Sequence, residues 1–241
     1  MAQFDRQNVR SQTGSAAMID EGLRSYMLKV YNYMSIGLGI TGVVAFFFNQ
    51  WVMSDPAIAQ IVYGSALKWV IMLAPIAFVL VLSFRINKMS AATAQLTFWA
   101  FATVMGLSLA SIFLVYTGTS IARVFFITAA TFGAMSLYGY TTKRDLTNWG
   151  SFLFMGLIGI IIAMVVNIFM QSSALAFGIS VVGVLVFVGL TAYDTQKIKE
   201  EYLETDGHEI MGKKAIMGAL RLYLDFINLF LMLLRLFGNR N

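Results

Sequence analysis

Two aspartates in otherwise apolar sequence are the residues best suited to carry chemistry. Asp194 ends an apolar segment at 189–196, and Asp225 lies inside another at 220–228. An ionisable group is costly among apolar residues in a membrane, so by default it marks an ion pathway or a specific partner. Two carboxylates in a low-dielectric site cannot both ionise cheaply, so they would share one proton and titrate as a unit. Losing that proton would create negative charge where a cation could bind.

Asp225 belongs to a polar stripe on a predicted helix. Gly218, Arg221, Asp225 and Asn228 recur at helical spacing among leucines and phenylalanines, so the stripe must face protein or water. The helical rise places Asp225 about 15 Å along its helix, at a depth where it can meet Asp194 of the preceding helix. An alternative is purely structural: Asp194 is an interfacial residue at a helix end, and Asp225 is held by an i−4 ion pair with Arg221.

The elements that must position these residues are membrane helices. Hydrophobic residues make up 59% of the 241 and charged residues 12%, whereas soluble domains carry roughly 25% charged residues. Between Asp145 and Asp194, 48 consecutive residues have no formal charge, and one span needs about 20. The apolar runs are continuous and not alternating, which favours helices over a barrel. The sequence predicts an all-α polytopic membrane helix bundle with spans at about 28–48, 67–86, 92–115, 121–141, 149–170, 174–197 and 215–237.

Loop charges predict the orientation. The N-terminus and the loops after the second, fourth and sixth spans would lie on one side of the membrane. Twelve of the 17 Lys and Arg residues then lie on that side, four lie on the other side, and Arg221 stays inside the last span. Basic loops mark the cytoplasmic side, which predicts a cytoplasmic N-terminus. Residues 1–26 are predicted to form a cytoplasmic tail and residues 27–241 a single transmembrane domain. Because Arg221 and Asp225 interrupt the last span, six crossings plus a re-entrant segment is an alternative.

Composition also restricts the partners. The net charge of +5 resides in loops beside apolar spans, so it indicates a lipid bilayer and no nucleic acid. The chain has no cysteine, which excludes disulfides and thiolate metal sites. It also has no Gly-rich phosphate loop, and no cofactor is expected. The connection between Lys197 and Lys214 carries both charge signs and is predicted to be the one sizeable soluble loop.

Several motifs occur in an order that is specific. They are Gly106–Phe113, Thr141–Leu146, Met155–Leu157, Tyr193-Asp194-Thr195-Gln196 and the run from Leu222 to Phe230, which reads Leu-Tyr-Leu-Asp-Phe-Ile-Asn-Leu-Phe. Together they resemble the Bax inhibitor-1 family, in its bacterial branch. The resemblance covers roughly residues 25–238 and leaves the N-terminal tail unmatched. It implies a bundle of about seven transmembrane helices with the last helix near the centre.

The resemblance also implies a function, a pH-sensitive calcium leak of the bacterial inner membrane. Two hydrogen-bonded aspartates would gate it, and here they would be Asp194 and Asp225, which would also be the residues that contact calcium. An arginine of the second helix would latch the closed form, and the candidate is Arg85; an alternative is that Arg85 only anchors a span end. The predicted supporting residues are Arg221, Asn228 and Tyr193.

Two other functions compete with a leak channel. A bacterial member of the family restrains a membrane-anchored AAA protease, which would make this chain a non-enzymatic regulator that acts through residues 1–26. Two membrane aspartates also suggest an intramembrane aspartyl protease. Such proteases place the second aspartate after Gly-x-Gly, whereas here Asp225 follows Leu222-Tyr223-Leu224. The chain is therefore predicted not to be an enzyme.

Overall fold

Helices account for nearly all of the chain in a computed structural model that describes the backbone of residues 2–241 and the side chains of residues 21–241. A 3₁₀ turn at Ile86–Lys88 follows the third helix. The α-helices of the described chain are α1 (Ala2–Met53), α2 (Pro56–Gly64), α3 (Leu67–Arg85), α4 (Ala91–Leu109), α5 (Ile112–Val115), α6 (Gly118–Thr141), α7 (Thr147–Met170), α8 (Ser173–Glu200) and α9 (His208–Phe237).

Seven helical segments are long and apolar enough to cross a bilayer. They are Glu21–Met53, Leu67–Lys88, Ala91–Val115, Gly118–Thr141, Thr147–Met170, Ser173–Glu200 and His208–Phe237. This confirms the predicted all-α bundle and each predicted span. The last segment is one unbroken helix of 30 residues, about 45 Å long at 1.5 Å per residue. A re-entrant segment in its place is therefore wrong.

The last helix lies at the centre of the bundle, as predicted. In its most apolar stretch 72% of residues are buried, against 11% for α7, whose phenylalanines and most isoleucines face outward. It packs against α8, α1, α6 and α4. Tyr223 anchors it, because its ring lies 5.2 Å from the Phe101 ring and 6.0 Å from the Phe98 ring on α4. The Tyr223 hydroxyl also donates to Thr41 Oγ1 on α1 over 2.6 Å, since the Thr41 proton goes to the Ala102 carbonyl.

The connection between α8 and α9 is shorter than the sequence predicts. Only residues 201–207 lie between the helices, so the prediction of a long soluble loop from Lys197 to Lys214 is wrong. Charged residues continue both helices beyond the apolar spans. Lys197 pairs with Glu200 at 2.8 Å and Lys213 with Glu209 at 3.4 Å, both on helix surfaces. Such i,i+3 and i,i+4 pairs stabilise exposed helical turns.

The first helix begins before the membrane. Residues 21–26 are already part of α1, and Tyr26 is buried against the ring of Tyr202 at 5.6 Å. The rest of the predicted tail, residues 1–20, lies outside the side chains that the structure describes. A further short helix, α2, was not predicted. Asp55 caps it by accepting from the Ala57 backbone N–H at 2.8 Å, and Pro56 occupies its first position, as is usual for a helix start.

Candidate functional site

The helices α8 and α9 form an antiparallel hairpin that brings the two aspartates to one level. Small residues set the distance between the helices. A Cβ at Gly218 would lie 3.0 Å from the Ile198 side chain, and a Cβ at Gly183 would lie 2.9 Å from Met232. Small residues at such crossings let helix backbones approach closely in a membrane. The crossing therefore places residues near 194 opposite residues near 225.

Asp194 and Asp225 face each other across this crossing. Their carboxyl groups lie close enough to interact, and both line one cleft. Asp225 is only 5% exposed, whereas Asp194 is partly exposed. The structure thus brings together the two aspartates that the sequence singled out.

One oxygen of the acid pair lacks a hydrogen-bond donor. Asp225 Oδ2 is fully buried and has no hydrogen-bond donor among the described side chains. An ionised carboxylate only accepts hydrogen bonds, so two of them facing each other repel. One proton held between Asp194 and Asp225 turns the same contact into an O–H···O hydrogen bond and supplies the missing donor. The geometry therefore fits a pair that carries one negative charge instead of two.

Arg221 lies next to the pair but bonds elsewhere. It is close enough to interact with both aspartates, yet its Nη1 donates to Glu201 Oε1 at 2.6 Å. Within the described residues it forms no ion pair with Asp225, so the alternative of an i−4 ion pair holding Asp225 is wrong. The physical reason is the hairpin: its turn places Glu201, at the end of α8, directly opposite Arg221.

A cleft of about 640 Å³ opens beside the aspartates, between α7, α8 and α9. Asp194, Asp225, Arg221 and the two remaining predicted residues, Tyr193 and Asn228, all line it. The Asn228 amide donates from Nδ2 to the Leu224 carbonyl at 2.8 Å, which leaves Oδ1 as an oxygen that can accept. The Tyr193 ring packs on α7 at Gly150, where a Cβ would come within 2.5 Å of the ring. The cleft is thus polar on its α8–α9 wall and apolar on its α7 wall.

Arg85 is the one predicted site residue that the structure does not bring to the pair. Its side chain is exposed at the C-terminal end of α3, and α3 packs against α2 and α4. The cleft is lined by α7, α8 and α9 alone. Arg221 is therefore the arginine that stands beside the aspartates.

Two residues of the site were missed by sequence reasoning. Glu201 lies seven residues after Asp194, on the same face of α8 if the helix continues, and that spacing is a usable signal. Gln196 is buried, with Oε1 accepting from the Leu146 backbone N–H at 2.8 Å and Nε2 donating to the Arg144 carbonyl at 2.9 Å. It fixes the α6–α7 loop to α8. Its type and position gave no indication of this role.

The opposite face of α8 carries a complete hydrogen-bond chain. Thr195 Oγ1 donates to the Thr191 carbonyl at 2.7 Å and therefore accepts from Ser136 Oγ on α6 at 2.9 Å. Ser136 in turn accepts from the Tyr31 hydroxyl on α1 at 2.6 Å. Every hydroxyl in the chain donates once, so the chain joins α1, α6 and α8 without an unsatisfied atom.

Comparison with known proteins identifies the family. A sequence model described as inhibitor of apoptosis-promoting Bax1 matches residues 23–241. The chain belongs to the Bax inhibitor-1 family. The predicted resemblance is therefore confirmed, and both aspartates lie inside the matched range.

Bacterial members of the Bax inhibitor-1 family are similar over nearly the whole chain. The uncharacterized protein RP147 of Rickettsia prowazekii is 49% identical over 98% of this chain and 99% of its own length. The inner membrane protein YbhL of Escherichia coli K12 is also 49% identical, over 91% of this chain and 93% of its own. The uncharacterized membrane protein SpyM3_0260 of Streptococcus pyogenes is 35% identical over 92% of this chain and 96% of its own.

Proposed function

We propose that this protein is a pH-regulated cation leak channel, with calcium as the cation, whose gate is the pair Asp194 and Asp225. The observation that carries the proposal is the buried Asp225 oxygen that lacks a donor and faces a second carboxyl group. A lone buried carboxylate of this kind is unfavourable in any membrane protein unless it is paired or protonated. A shared proton satisfies the pair, and its loss destabilises the contact between α8 and α9.

The gating step follows from charge. With one proton, the pair is a hydrogen bond that holds α8 against α9. When the proton leaves, two negative charges face each other in a low-dielectric site, and their repulsion separates the helices. The same charges attract a cation into the cleft. Arg221 does not neutralise them directly, because it is bonded to Glu201.

The ligand set suits an ion in transit better than a resident one. Calcium takes six to eight oxygen ligands. Within residues 21–241 no three side chains of His, Cys, Asp or Glu cluster closely enough to hold a metal ion. Two carboxylates and the Asn228 Oδ1 can replace part of the hydration shell of calcium and leave the rest to water. Weak coordination of this kind allows entry and release, as conduction requires.

We further propose that the N-terminus lies in the cytoplasm of a bacterial cell and that the membrane is the inner membrane. The loops of the basic side meet at one end of the bundle, where Glu209 accepts from the Ala91 backbone N–H at 2.7 Å and Lys199 donates to the Tyr140 carbonyl at 2.8 Å. Asn239, near the C-terminus, donates its backbone N–H to Ser120 Oγ at the other end. The loop count of the sequence assigns twelve of the 17 Lys and Arg residues to this side, which favours the cytoplasm, and the relative YbhL is an inner membrane protein.

Ion flux in liposomes that contain only this protein tests the gate. Asp194→Asn and Asp225→Asn keep the side-chain size and hydrogen bonding but cannot titrate. We expect each to flatten the dependence of calcium flux on pH, because the remaining aspartate has lost its partner. The control is Asp55→Asn, an exposed carboxylate that caps α2 on the other side of the bundle and that Asn can replace as a cap. A normal pH dependence in the double Asp194→Asn, Asp225→Asn variant would exclude the gate.

The alternative function, a regulator of a membrane-anchored AAA protease, depends on different residues. It would use the N-terminal tail, most of which lies outside the described side chains. Removing residues 1–20 separates the two functions: a leak channel keeps its pH-dependent flux, whereas a regulator loses its effect on the protease. Loss of flux in the truncated protein would contradict a gate that consists of Asp194 and Asp225.

A further inference from the structure

A second cleft lies on the other side of α8 and opens to the lipid. It measures about 590 Å³ and runs between α6 and α7, with α8 as its floor. The floor extends from Val182 to Tyr193, about 16 Å at the rise of a helix. This is close to half of the roughly 30 Å hydrocarbon thickness of a bilayer. The groove therefore has the length of one leaflet.

One end of this groove is polar and the remainder is apolar. Arg144 and Asp145 line its end, together with Tyr138 and Trp149, whose rings belong to the type that prefers the headgroup level. Beyond them the walls consist of side chains such as Phe152 and Leu185. The order of polar and apolar surface along the groove is that of a phospholipid.

The backbone that carries the two charged residues at the groove end is held in place. Gln196 bonds to the Arg144 carbonyl and to the Leu146 backbone N–H, which fixes the backbone on both sides of Asp145. Hydrogen bonds from the hydroxyl and the backbone N–H of Thr147 lower the pKa of Asp145, so its carboxylate stays charged. Within residues 21–241 neither Arg144 nor Asp145 forms an ion pair at 4.0 Å or less. Lys197, which lies nearby, is bonded to Glu200 and Thr147.

We propose that this groove binds a zwitterionic phospholipid with a primary ammonium group, of the phosphatidylethanolamine class. The phosphate would bond to the Arg144 guanidinium, a group suited to bidentate contact with phosphate. The ammonium would donate to the Asp145 carboxylate, and an acyl chain would lie on α8. One charge of each sign at the groove end matches one charge of each sign in the headgroup. Tyr193 lines both this groove and the cleft of the aspartates, so the lipid would touch the residue that precedes Asp194.

Tryptophan quenching by brominated lipids tests the site independently of ion flux. A variant that keeps Trp149 alone, with Phe at Trp51, Trp69 and Trp99, reports on the groove. A variant that keeps Trp69 alone reports on bulk lipid, since Trp69 is 56% exposed and Trp149 is 60% exposed. Both are reconstituted in phosphatidylcholine with increasing brominated phosphatidylethanolamine. We expect half-maximal quenching of Trp149 at about a tenfold lower fraction than for Trp69, the size of one charge-assisted hydrogen bond. Identical curves would overturn the site.

Single substitutions then separate the two headgroup contacts. Arg144→Gln should shift the Trp149 curve to that of Trp69, whereas Lys143→Gln, an exposed neighbour that does not line the groove, should leave it unchanged. Asp145→Asn keeps the bond to Thr147 and should remove the preference for brominated phosphatidylethanolamine over brominated phosphatidylcholine, whose quaternary ammonium has no N–H. Equal quenching by brominated phosphatidylglycerol would show a site for phosphate alone and would overturn the role of Asp145.

Discussion

Two adjacent residues of α8, Thr195 and Asp194, face different neighbouring helices, α6 and α9, and have opposite hydrogen-bonding states. Thr195 is fully buried in a chain of hydroxyls in which each donor has an acceptor. Asp194 faces a second carboxyl group, and one oxygen of that partner has no donor among the described residues. Both faces are polar and lie within a membrane-spanning helix. Only the satisfied face can be held rigid at every pH.

The difference suggests that the two sides of α8 have different roles, one rigid and one mobile. Complete hydrogen-bond networks rigidify a structure, whereas partly satisfied ones are costly and sensitive to their protonation state. The α6 side of α8 would then act as a fixed support and the α9 side as the moving part. The backbone contact at Gly139 of α6, where a Cβ would overlap the Ala192 carbonyl oxygen, supports the same assignment. The following predictions test whether the two faces behave this differently.

The largest effect on stability is expected at Gly139 of α6, where α6 contacts α8. Gly139→Ala forces α6 and α8 apart, because the new Cβ would meet backbone and not a flexible side chain. We expect a loss of about 2 kcal/mol in the free energy of unfolding in mixed SDS micelles, after allowing for the higher helix propensity of alanine. The matched control is Gly133→Ala on the same helix, where a Cβ meets no atom within 4 Å in the described part of the chain. A similar loss at both positions would contradict a tight α6–α8 contact.

The second prediction concerns how stability depends on pH at the acid pair. If Asp194 and Asp225 share a proton when folded, the folded state binds more protons than the unfolded state near neutral pH. The free energy of unfolding then falls as pH rises, by at most about 1.4 kcal/mol per pH unit for one proton. Asp225→Asn supplies a permanent N–H donor to Asp194 and should remove this slope. Equal slopes for the wild type and the variant would mean that the pair holds no shared proton.

A smaller effect is expected for the hydroxyl chain. Tyr31→Phe removes the donor to Ser136 and should cost about 1 kcal/mol, the usual value of one buried hydrogen bond. The pH slope of unfolding should stay as in the wild type, because no titrating group of the acid pair is touched. Tyr33→Phe, whose hydroxyl makes no hydrogen bond within residues 21–241, is the control. A changed pH slope in Tyr31→Phe would show that the two faces of α8 are coupled.

The sequence was sufficient for the helices because membrane insertion leaves few choices. Each span needs about 20 apolar residues, and these runs are visible in the chain. The sequence only permitted the meeting of Asp194 and Asp225, because the helical rise gives the depth of each residue and not which faces of the two helices pack together. The short helix α2 could have been found from Asp55-Pro56, a cap followed by a first-turn proline.

The positions of two arginine side chains, Arg221 and Arg85, could not be predicted from depth along a helix. Arg221 was expected to pair within its own helix, but the pairing depends on where α8 ends, and charged residues extend α8 to Glu200. Arg85 was the candidate latch of the closed form, with a span-end anchor as the alternative, and the packing of α3 on α4 places it away from the cleft. Both residues have long side chains near span ends, which can reach in several directions.

The last and smallest effect concerns Arg221 and tests why the acid pair needs a proton at all. The ion pair with Glu201 is partly exposed, with side chains 41% and 34% accessible, so its coupling energy in a double-mutant cycle should be only about 0.5 kcal/mol. The coupling between Arg221 and Glu201 should still exceed the coupling between Arg221 and Asp225, the reverse of what the i,i+4 spacing of Arg221 and Asp225 suggests.

The ion pair between Arg221 and Glu201 also affects the ionisation of the acid pair, although its own coupling energy is small. Glu201→Gln leaves Arg221 without its partner, and the other carboxyl groups with which Arg221 interacts are those of Asp194 and Asp225. An arginine beside the pair stabilises the doubly ionised form, so Glu201→Gln should reduce the pH slope of unfolding, while the exposed change Glu200→Gln should leave it unaltered. An unchanged slope in Glu201→Gln would mean that Arg221 does not exchange between Glu201 and the aspartates, and that the pair depends on its proton alone.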